Sequence, residues 1–198
     1  SGQNLPGTTK PGKPSELLEI NHELENLAID IDVVKALFVK SGYKNWFQPN
    51  FGNELLNIIN QDTCTYCNGN YTLQTVPNRS RAELDHWFSK ETFPLLALSF
   101  FNLIPSYHSC NHLKLNNVID DTFAHPYTIT EDNQNFKFSF NYINIDKKFD
   151  IKLMVEENSK IDNSLKDFKI KEIYNTHSEK ELKDLLDLRY KYSKNYLE

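Results

Sequence analysis

The stretch AELDHWFSKETFPLLALSFFNLIPSYHSCNHLK, residues 82–114, carries most of the chemical information in this chain of 198 residues. Asp85 and His86 end a short apolar segment, Asn102 precedes a second apolar segment, and Asn111 follows a cysteine. Singly, each has an ordinary structural interpretation: an Asp-His pair can be a surface hydrogen bond, and an Asn can cap a turn or begin a helix. Their joint order is what indicates a catalytic site.

A cysteine pair lies upstream of this stretch, in CTYC at residues 64–67, and a third cysteine lies within the stretch. A Cys-x-x-Cys loop presents two thiolates to one tetrahedral ion, and zinc is the usual occupant. Buried apolar packing is the alternative, since free cysteine is among the most buried residue types. The third cysteine favours the metal site and a reducing compartment. The predicted zinc ligands are Cys64, Cys67, Cys110 and His108, with His112 as the alternative to His108.

The combined pattern resembles the HNH endonucleases, whose ββα-metal fold places an Asp-His pair on the first strand, an Asn in the loop before the second, and a His or Asn on the helix. The resemblance covers residues 63–114, and more loosely HPY at 125–127 and YNTH at 174–177. It implies that Asp85 binds a catalytic divalent ion and that His86 is the general base. Both roles suit phosphodiester cleavage, because imidazole titrates near neutral pH and a divalent ion neutralises charge that builds on the phosphate.

The resemblance implies roles for further residues of the motif. Asn102 matches the middle Asn, which is expected to fix the loop and the backbone around His86. Asn111 matches the final position, where an amide oxygen can complete a Mg2+ or Mn2+ shell beside the carboxylate. Lys114 lies one helical turn beyond Asn111 and is expected to contact the substrate phosphate, with Lys90 as a weaker candidate.

One position departs from the pattern of the family. In zinc-stapled members the second half-site resembles Cys-x-x-Cys-Asn, and here Tyr107 stands at the first of those cysteine positions. The fourth zinc ligand is therefore open between His108, His112 and a zinc-free arrangement in which Tyr107 packs in its place. Catalysis does not depend on this choice, because the structural and catalytic ions are separate.

We expect an α+β fold with a small ββα-metal core at about residues 83–115, covered by N-terminal helices and followed by a β-hairpin and a helical tail. Residues 1–14 are rich in Gly, Pro and Thr and are interpreted as a linker, an added tail or the end of an upstream domain. Residues 15–198 are expected to form a single HNH nuclease domain, with its core motif at about 63–115.

Periodicity predicts the other elements. Apolar spacing predicts two helices from Ser15, which is available as an N-cap, and a third in NELLNIIN. Alternating apolar residues at 135–145 predict a strand that pairs with residues 151–155. The tail is expected to form two helices that meet near residues 175–178. His125 and His177 are expected to be packing or helix-end residues and are left out of the site.

The net charge of −5 argues against tight unaided binding to DNA, because phosphate binding relies on Lys and Arg. The local sign can still be positive, since Arg79, Arg81, Lys90 and Lys114 flank the motif. No apolar run approaches the roughly 20 residues that span a bilayer, so no membrane segment is expected.

The sequence therefore predicts a metal-dependent endonuclease that hydrolyses DNA by a one-metal mechanism, with RNA as an alternative substrate. The rival hypothesis is an inactive zinc-stapled module that binds nucleic acid or protein. We expect a cytoplasmic location, with a secreted or injected toxin neutralised by an immunity protein as the alternative. A further setting is an anti-phage defence nuclease that waits for an activating protein, since recruitment can replace intrinsic affinity for DNA.

Overall fold

The computed structural model describes residues 13–26, 30–73, 82–114, 119–143 and 148–192. Its α-helices are α1 Leu17–Glu25, α2 Ile31–Val34, α3 Gln48–Ile59, α4 His108–Lys114, α5 Lys160–Asp167 and α6 Ile170–Lys191. A π-helix spans Lys35–Phe47, and 3-10 helices span Pro14–Glu16, Pro94–Leu98, Phe100–Asn102 and Pro126–Thr128. The strands are β1 Glu83–His86, β2 Leu103–Ser106, β3 Phe136–Ile143 and β4 Lys148–Val155. Helices and small antiparallel sheets occur together, so the predicted α+β class is confirmed.

The chain contains two compact units, and the single HNH nuclease domain expected for residues 15–198 stays a prediction. The first unit comprises Ser1–Asp121 with His125–Ile129, and the second comprises Thr122–Ala124 with Thr130–Glu198. The first unit contains the sheet of β1 and β2, and the second contains the sheet of β3 and β4. Most of the predicted linker, residues 1–12, lies outside the described residues.

The N-terminal helices differ from the prediction in where they break. Ser15 lies inside the first 3-10 turn instead of capping α1. From residue 31 to residue 59, α2, the π-helix and α3 follow one another without interruption, so the second and third predicted helices form one run. Gln48 N–H bonds to the carbonyl oxygen of Tyr43, which is the wider hydrogen-bond register of a π-helix.

The core of the first unit lies between the π-helix and the sheet of β1 and β2. Val39, Tyr43, Ala97 and Leu103 are buried together there. The Tyr43 hydroxyl also donates to the carbonyl oxygen of Leu84 at 3.0 Å. Burial of these side chains removes apolar area from water, which is the main stabilising term for a core of this kind. The helical layer is thereby attached directly to the strand that carries the Asp-His pair.

The predicted hairpin of the second unit is confirmed. β3 and β4 pair antiparallel, with Phe136 opposite Val155 at one end and Ile143 opposite Lys148 at the other. β4 therefore begins earlier than the predicted residue 151. The Phe138 ring packs against α6, which covers part of the aromatic side of the hairpin.

The predicted break between the two C-terminal helices was wrong. It lies at Lys169, whose backbone is left-handed with a φ of 54°, whereas residues 175–178 lie inside α6. Asn175 accepts a hydrogen bond from Ile151 N at 2.7 Å and donates to Asp150 at 3.2 Å. Polar residues that resembled a break in the sequence instead attach α6 to β4.

Candidate functional site

The strand β1 carries the Asp-His pair at its end and is followed in the chain by β2 and then α4. Because side chains alternate along a strand, Glu83 and Asp85 lie on one face, and Leu84 and His86 lie on the other. The first face meets α4, where Asn111 Nδ2 donates to Glu83 Oε2 at 2.7 Å. The second face meets the helical layer. The two members of the Asp-His pair are thus held by different parts of the unit.

Asp85 is held through one of its two carboxylate oxygens. Oδ2 accepts a hydrogen bond from the Tyr66 hydroxyl at 2.5 Å and another from Lys114 Nζ at 2.6 Å. Among the described residues, Oδ1 has no hydrogen-bond partner. The side chain keeps 13% of its surface exposed. The carboxylate is therefore fixed at one oxygen, and the other oxygen remains available to a ligand.

Lys114 is buried, which differs from the surface position that a contact to substrate phosphate would need. Its side chain is 6% exposed, and Nζ also donates to the carbonyl oxygen of His86. The ammonium lies 5.9 Å from the ring centroid of Tyr66 and 5.8 Å from that of Trp87. The aromatic rings and the Asp85 carboxylate together compensate the burial of its charge.

Burial raises the pKa of Tyr66 well above its usual value, and the negative charge of Asp85 raises it further. The phenol therefore stays protonated and acts as a hydrogen-bond donor to the carboxylate. The Tyr66 ring also contacts Trp87, with the ring centroids 6.2 Å apart.

His86 is fixed in one tautomer by its surroundings. The residue is 4% exposed, and its Nε2 lies 3.0 Å from the carbonyl oxygen of Ala97. Since a carbonyl only accepts, Nε2 carries the proton and Nδ1 is the basic nitrogen of the neutral ring. The Tyr43 ring contacts the imidazole edge-on at 4.4 Å. Burial, and then the positive charges of Lys90 and Lys114, lower the pKa of His86 to about 3. The ring is therefore neutral at physiological pH.

Asn102 joins the backbone on both sides of the loop that follows β1. Its side chain is fully buried, and Oδ1 accepts from Phe88 N at 2.7 Å. Nδ2 donates to the carbonyl oxygens of Phe88 and Leu96, each at 3.0 Å. The backbone carbonyl of Asn102 also accepts from Trp87 N at 2.9 Å. One side chain thus fixes the turn next to His86 and the helical turn that supplies the carbonyl of Ala97.

Glu83 belongs to the site and was missed in the sequence. Burial alone would raise the pKa of Glu83, but hydrogen bonds from Asn111 and His108 outweigh burial and lower it. The signal was present: a residue two positions before Asp85 on a strand shares its face. Tyr66 was missed because the Cys-x-x-Cys motif was interpreted only through its cysteines.

The three cysteines form one buried cluster. Cys64, Cys67 and Cys110 are free thiols, exposed by 0%, 3% and 2%, and their sulfur atoms all lie within 4.8 Å of one another. Tetrahedral zinc–sulfur bonds of about 2.3 Å place sulfur atoms about 3.8 Å apart, so this spacing fits a single ion. The cluster can hold a metal.

A backbone bridge joins the two ends of the loop that contains the first two cysteines. Thr63 and Tyr71 form an antiparallel bridge across it, and Asn68 adopts a left-handed backbone with a φ of 50°. Thr65 N donates to the carbonyl oxygen of Pro105 at 3.2 Å, which attaches the loop to β2. The cluster therefore joins the loop to α4, and the hydrogen bond of Thr65 joins the loop to β2.

Backbone and side-chain amides point at the sulfur atoms. Cys64 Sγ accepts from Tyr107 N at 3.2 Å, and Cys67 Sγ accepts from Gly69 N and from Asn70 Nδ2, each at 3.5 Å. The neighbouring thiols and then these amides lower the pKa of Cys67. Donors aimed at sulfur favour the thiolate, which is the metal-binding form of cysteine.

The structure does not bring a fourth predicted ligand to this cluster. His108 Nδ1 lies 2.6 Å from Glu83 Oε1, and the side chain of His108 is 63% exposed. His112 packs edge-on against His108, with the ring centroids 4.2 Å apart. Within the part of the chain that the structure describes, the cluster contains three cysteines and neither histidine. Tyr107 is 41% exposed and meets the cluster through its backbone N–H.

In comparisons with known proteins, no family model, curated protein or solved structure matches the chain. The side-chain arrangement of the first unit is therefore the basis of the functional proposal.

The remaining predicted residues occupy different places. Lys90 is partly buried in the turn after β1, and its charge acts on His86. Arg79 and Arg81 lie outside the described residues. His177 is exposed on α6. Over the described ranges, no helix is long and apolar enough to cross a membrane.

His125 packs next to the site. The residue is 8% exposed, its ring lies 5.2 Å from the Trp87 ring, and its Nδ1 accepts from Tyr127 N at 3.2 Å. Burial lowers the pKa of His125 to about 4, and the charge of Lys114 contributes in the same direction. The Tyr127 hydroxyl donates to the carbonyl oxygen of Leu103 at 2.9 Å, so this segment supports β2.

Proposed function

We propose that this protein is a metal-dependent endonuclease of the HNH type that hydrolyses phosphodiester bonds in DNA. The observation that carries the proposal is the hydrogen bonding of the Asp85 carboxylate at the end of β1. One oxygen of its carboxylate is anchored, the other has no partner among the described residues, and a neutral imidazole is the next residue. A one-metal mechanism of phosphodiester cleavage uses a metal-binding carboxylate beside a general base.

His86 would act as the general base. Its Nε2–H donates a hydrogen bond to the carbonyl oxygen of Ala97, so Nδ1 is the nitrogen that would accept a proton from the attacking water. Because the ring is neutral, this nitrogen is available without a prior deprotonation, but its lowered pKa makes it a weaker base than the near-neutral imidazole expected from the sequence. Asn102 would act as a positioning residue, since it fixes the backbone on both sides of the loop between His86 and Ala97.

Asp85 and Asn111 would hold the catalytic Mg2+ or Mn2+. Asn111 donates through Nδ2 to Glu83, which leaves its oxygen as an acceptor, and carboxylate and amide oxygens are the ligands that these ions prefer. When bound, the ion stabilises negative charge on the scissile phosphate. Glu83 would orient Asn111 through their hydrogen bond.

Cys64, Cys67 and Cys110 would hold a structural zinc ion. Three sulfur atoms form a soft donor set, and such a set binds zinc in preference to Mg2+. The N–H groups that point at the sulfur atoms stabilise the thiolate form. A fourth ligand beside the three sulfur atoms would complete the tetrahedron, with His108 and His112 as the candidates. To bind the zinc ion, His108 would first have to break its contact with the Glu83 carboxylate.

The proposed substrate is a nucleic acid, because the proposed chemistry acts on phosphate. Phosphate-directed chemistry acts on DNA or RNA, and we propose DNA. A net charge of −5 suits an enzyme that is brought to its substrate by an activating protein, because recruitment can replace intrinsic affinity for phosphate. A cytoplasmic defence nuclease meets this description, and an injected toxin with an immunity protein is the other setting.

A panel of substrates tests the proposal. Wild type, Asp85→Asn and Asp132→Asn would be incubated with supercoiled plasmid, single-stranded DNA and RNA in Mg2+ or Mn2+. Asp132 is an exposed carboxylate of the second unit and serves as the matched control. We expect DNA cleavage that Asp85→Asn abolishes and Asp132→Asn retains. Binding without cleavage in every metal would instead support the inactive binding module.

A further inference from the structure

The two segments that carry the cysteine cluster also carry the two side chains that hold Asp85. Tyr66 lies inside the CTYC loop of residues 64–67, and Lys114 lies four residues after Cys110, one turn further along α4. Both donate to the same carboxylate oxygen, Oδ2 of Asp85. The cluster is therefore linked to one oxygen of Asp85 by two short paths, each of which runs along the chain and ends in a hydrogen bond.

We propose that the cysteine cluster sets the orientation of Asp85 through Tyr66 and Lys114, so that a zinc ion in the cluster raises the affinity of the catalytic site for Mg2+ or Mn2+. Tyr66 and Lys114 are positioning residues in this account, because neither bonds to the available Oδ1. The inference rests on the proposed function, in which Asp85 binds the catalytic ion.

The hydrogen bonds of Tyr66 and Lys114 couple the position of the Asp85 carboxylate to that of the cysteine cluster. The Tyr66 hydroxyl is 2.5 Å from Asp85 Oδ2, and hydrogen bonds weaken steeply once geometry departs from the optimum. The Lys114 ammonium is held between Asp85, the His86 carbonyl and two aromatic rings. A change at the cysteines that moves either the loop or α4 is therefore transmitted to the carboxylate.

Two further hydrogen bonds hold the loop in place. Thr65 N bonds to Pro105 on β2, and Cys64 Sγ accepts from Tyr107 N at the start of α4. A zinc ion that binds Cys64, Cys67 and Cys110 would add strong bonds between the loop and α4. Partners outside the first coordination shell of a metal typically change its affinity by about 10-fold to 100-fold when removed, which sets the expected scale.

Binding of Mn2+, measured by calorimetry or electron paramagnetic resonance, tests the inference without relying on cleavage. We expect Tyr66→Phe to bind Mn2+ about 10-fold more weakly than wild type, with unchanged zinc content. Tyr71→Phe is the matched control in the same loop, because the Tyr71 side chain is 75% exposed, and it is expected to bind as wild type does.

A second arm removes the zinc. Extraction of zinc from the full chain is expected to weaken Mn2+ binding in wild type and to have a smaller effect in Tyr66→Phe, since the path through the phenol is already broken. Equal Mn2+ affinity of Tyr66→Phe and wild type would overturn the inference and leave the proposed function standing. An Asp85→Asn protein that binds Mn2+ as tightly as wild type would overturn both.

Discussion

The ammonium of Lys114 lies 2.6 Å from Asp85 Oδ2, although the lysine side chain is only 6% exposed. A buried charge of this kind is tolerated only with a partner, and here the partner is the carboxylate expected to bind the catalytic ion. The pair links the stability of the first unit to the geometry of its site.

Replacing Lys114 by Met tests this role. We expect the free energy of unfolding to fall by about 3 kcal/mol or more, because Asp85 loses its compensating charge in a largely buried position. Lys90→Met is the control and should change stability by less, since Lys90 has no ion pair among the described residues. Denaturant titration measures both. Unchanged stability with weaker DNA binding would instead favour the phosphate contact predicted from the sequence.

Asn102→Ala is expected to destabilise the protein by about 2–4 kcal/mol, because it leaves the buried backbone N–H and carbonyl of Phe88 without their partner and removes one of the two hydrogen bonds to the Leu96 carbonyl. Asn141→Ala, at an exposed position of β3, is the control and should change stability by about 0.5 kcal/mol or less. Thermal or denaturant unfolding distinguishes the two. Equal effects would show that Asn102 does not brace the loop.

The stability of the protein is expected to depend on pH through His125, in addition to His86, whose pKa is lowered in the same direction. The pKa of His125 is about 4 in the folded protein and about 6.5 when unfolded, so only the unfolded state takes up a proton between these values. Stability is therefore fully present above pH 6.5 and falls as the pH drops towards 4, by about 3 kcal/mol in total from this group. His125→Gln removes the contribution. A variant with the same pH slope as wild type would show that His125 does not titrate this way.

The cysteine cluster is expected to bind about one zinc ion per chain. Cys110→Ser should lower the zinc content and the melting temperature, because the third sulfur joins α4 to the loop. Elemental analysis of purified protein gives the stoichiometry, with His112→Ala and His108→Ala as tests of the fourth ligand. Zinc content that is unchanged in Cys110→Ser would contradict the site.

The sequence indicated the Asp-His strand and the hairpin because each depends on local spacing. Cys64 and Cys67 were indicated in the same way, whereas Cys110 is distant in the sequence and was indicated because two thiolates need further ligands to complete a tetrahedral site. The burial of Lys114 was not predictable from helical spacing, since the rings that surround it come from Tyr66 and Trp87 in other segments. The break placed at residues 175–178 failed for the same reason. Asn175 favours turns in isolation, but here its side chain bonds to the backbone of β4.

Nicking of supercoiled plasmid at low salt with Mg2+ or Mn2+, compared between wild type and His86→Gln, tests the central claim most directly. His86→Gln retains a donor for the Ala97 carbonyl but lacks the base, and His177→Ala is the exposed control. With folding verified by circular dichroism, we expect cleavage by wild type and His177→Ala, a loss of about 100-fold or more in His86→Gln, and none in chelator. Cleavage by His86→Gln at the wild-type rate, or no metal-dependent cleavage by wild type, would contradict the account.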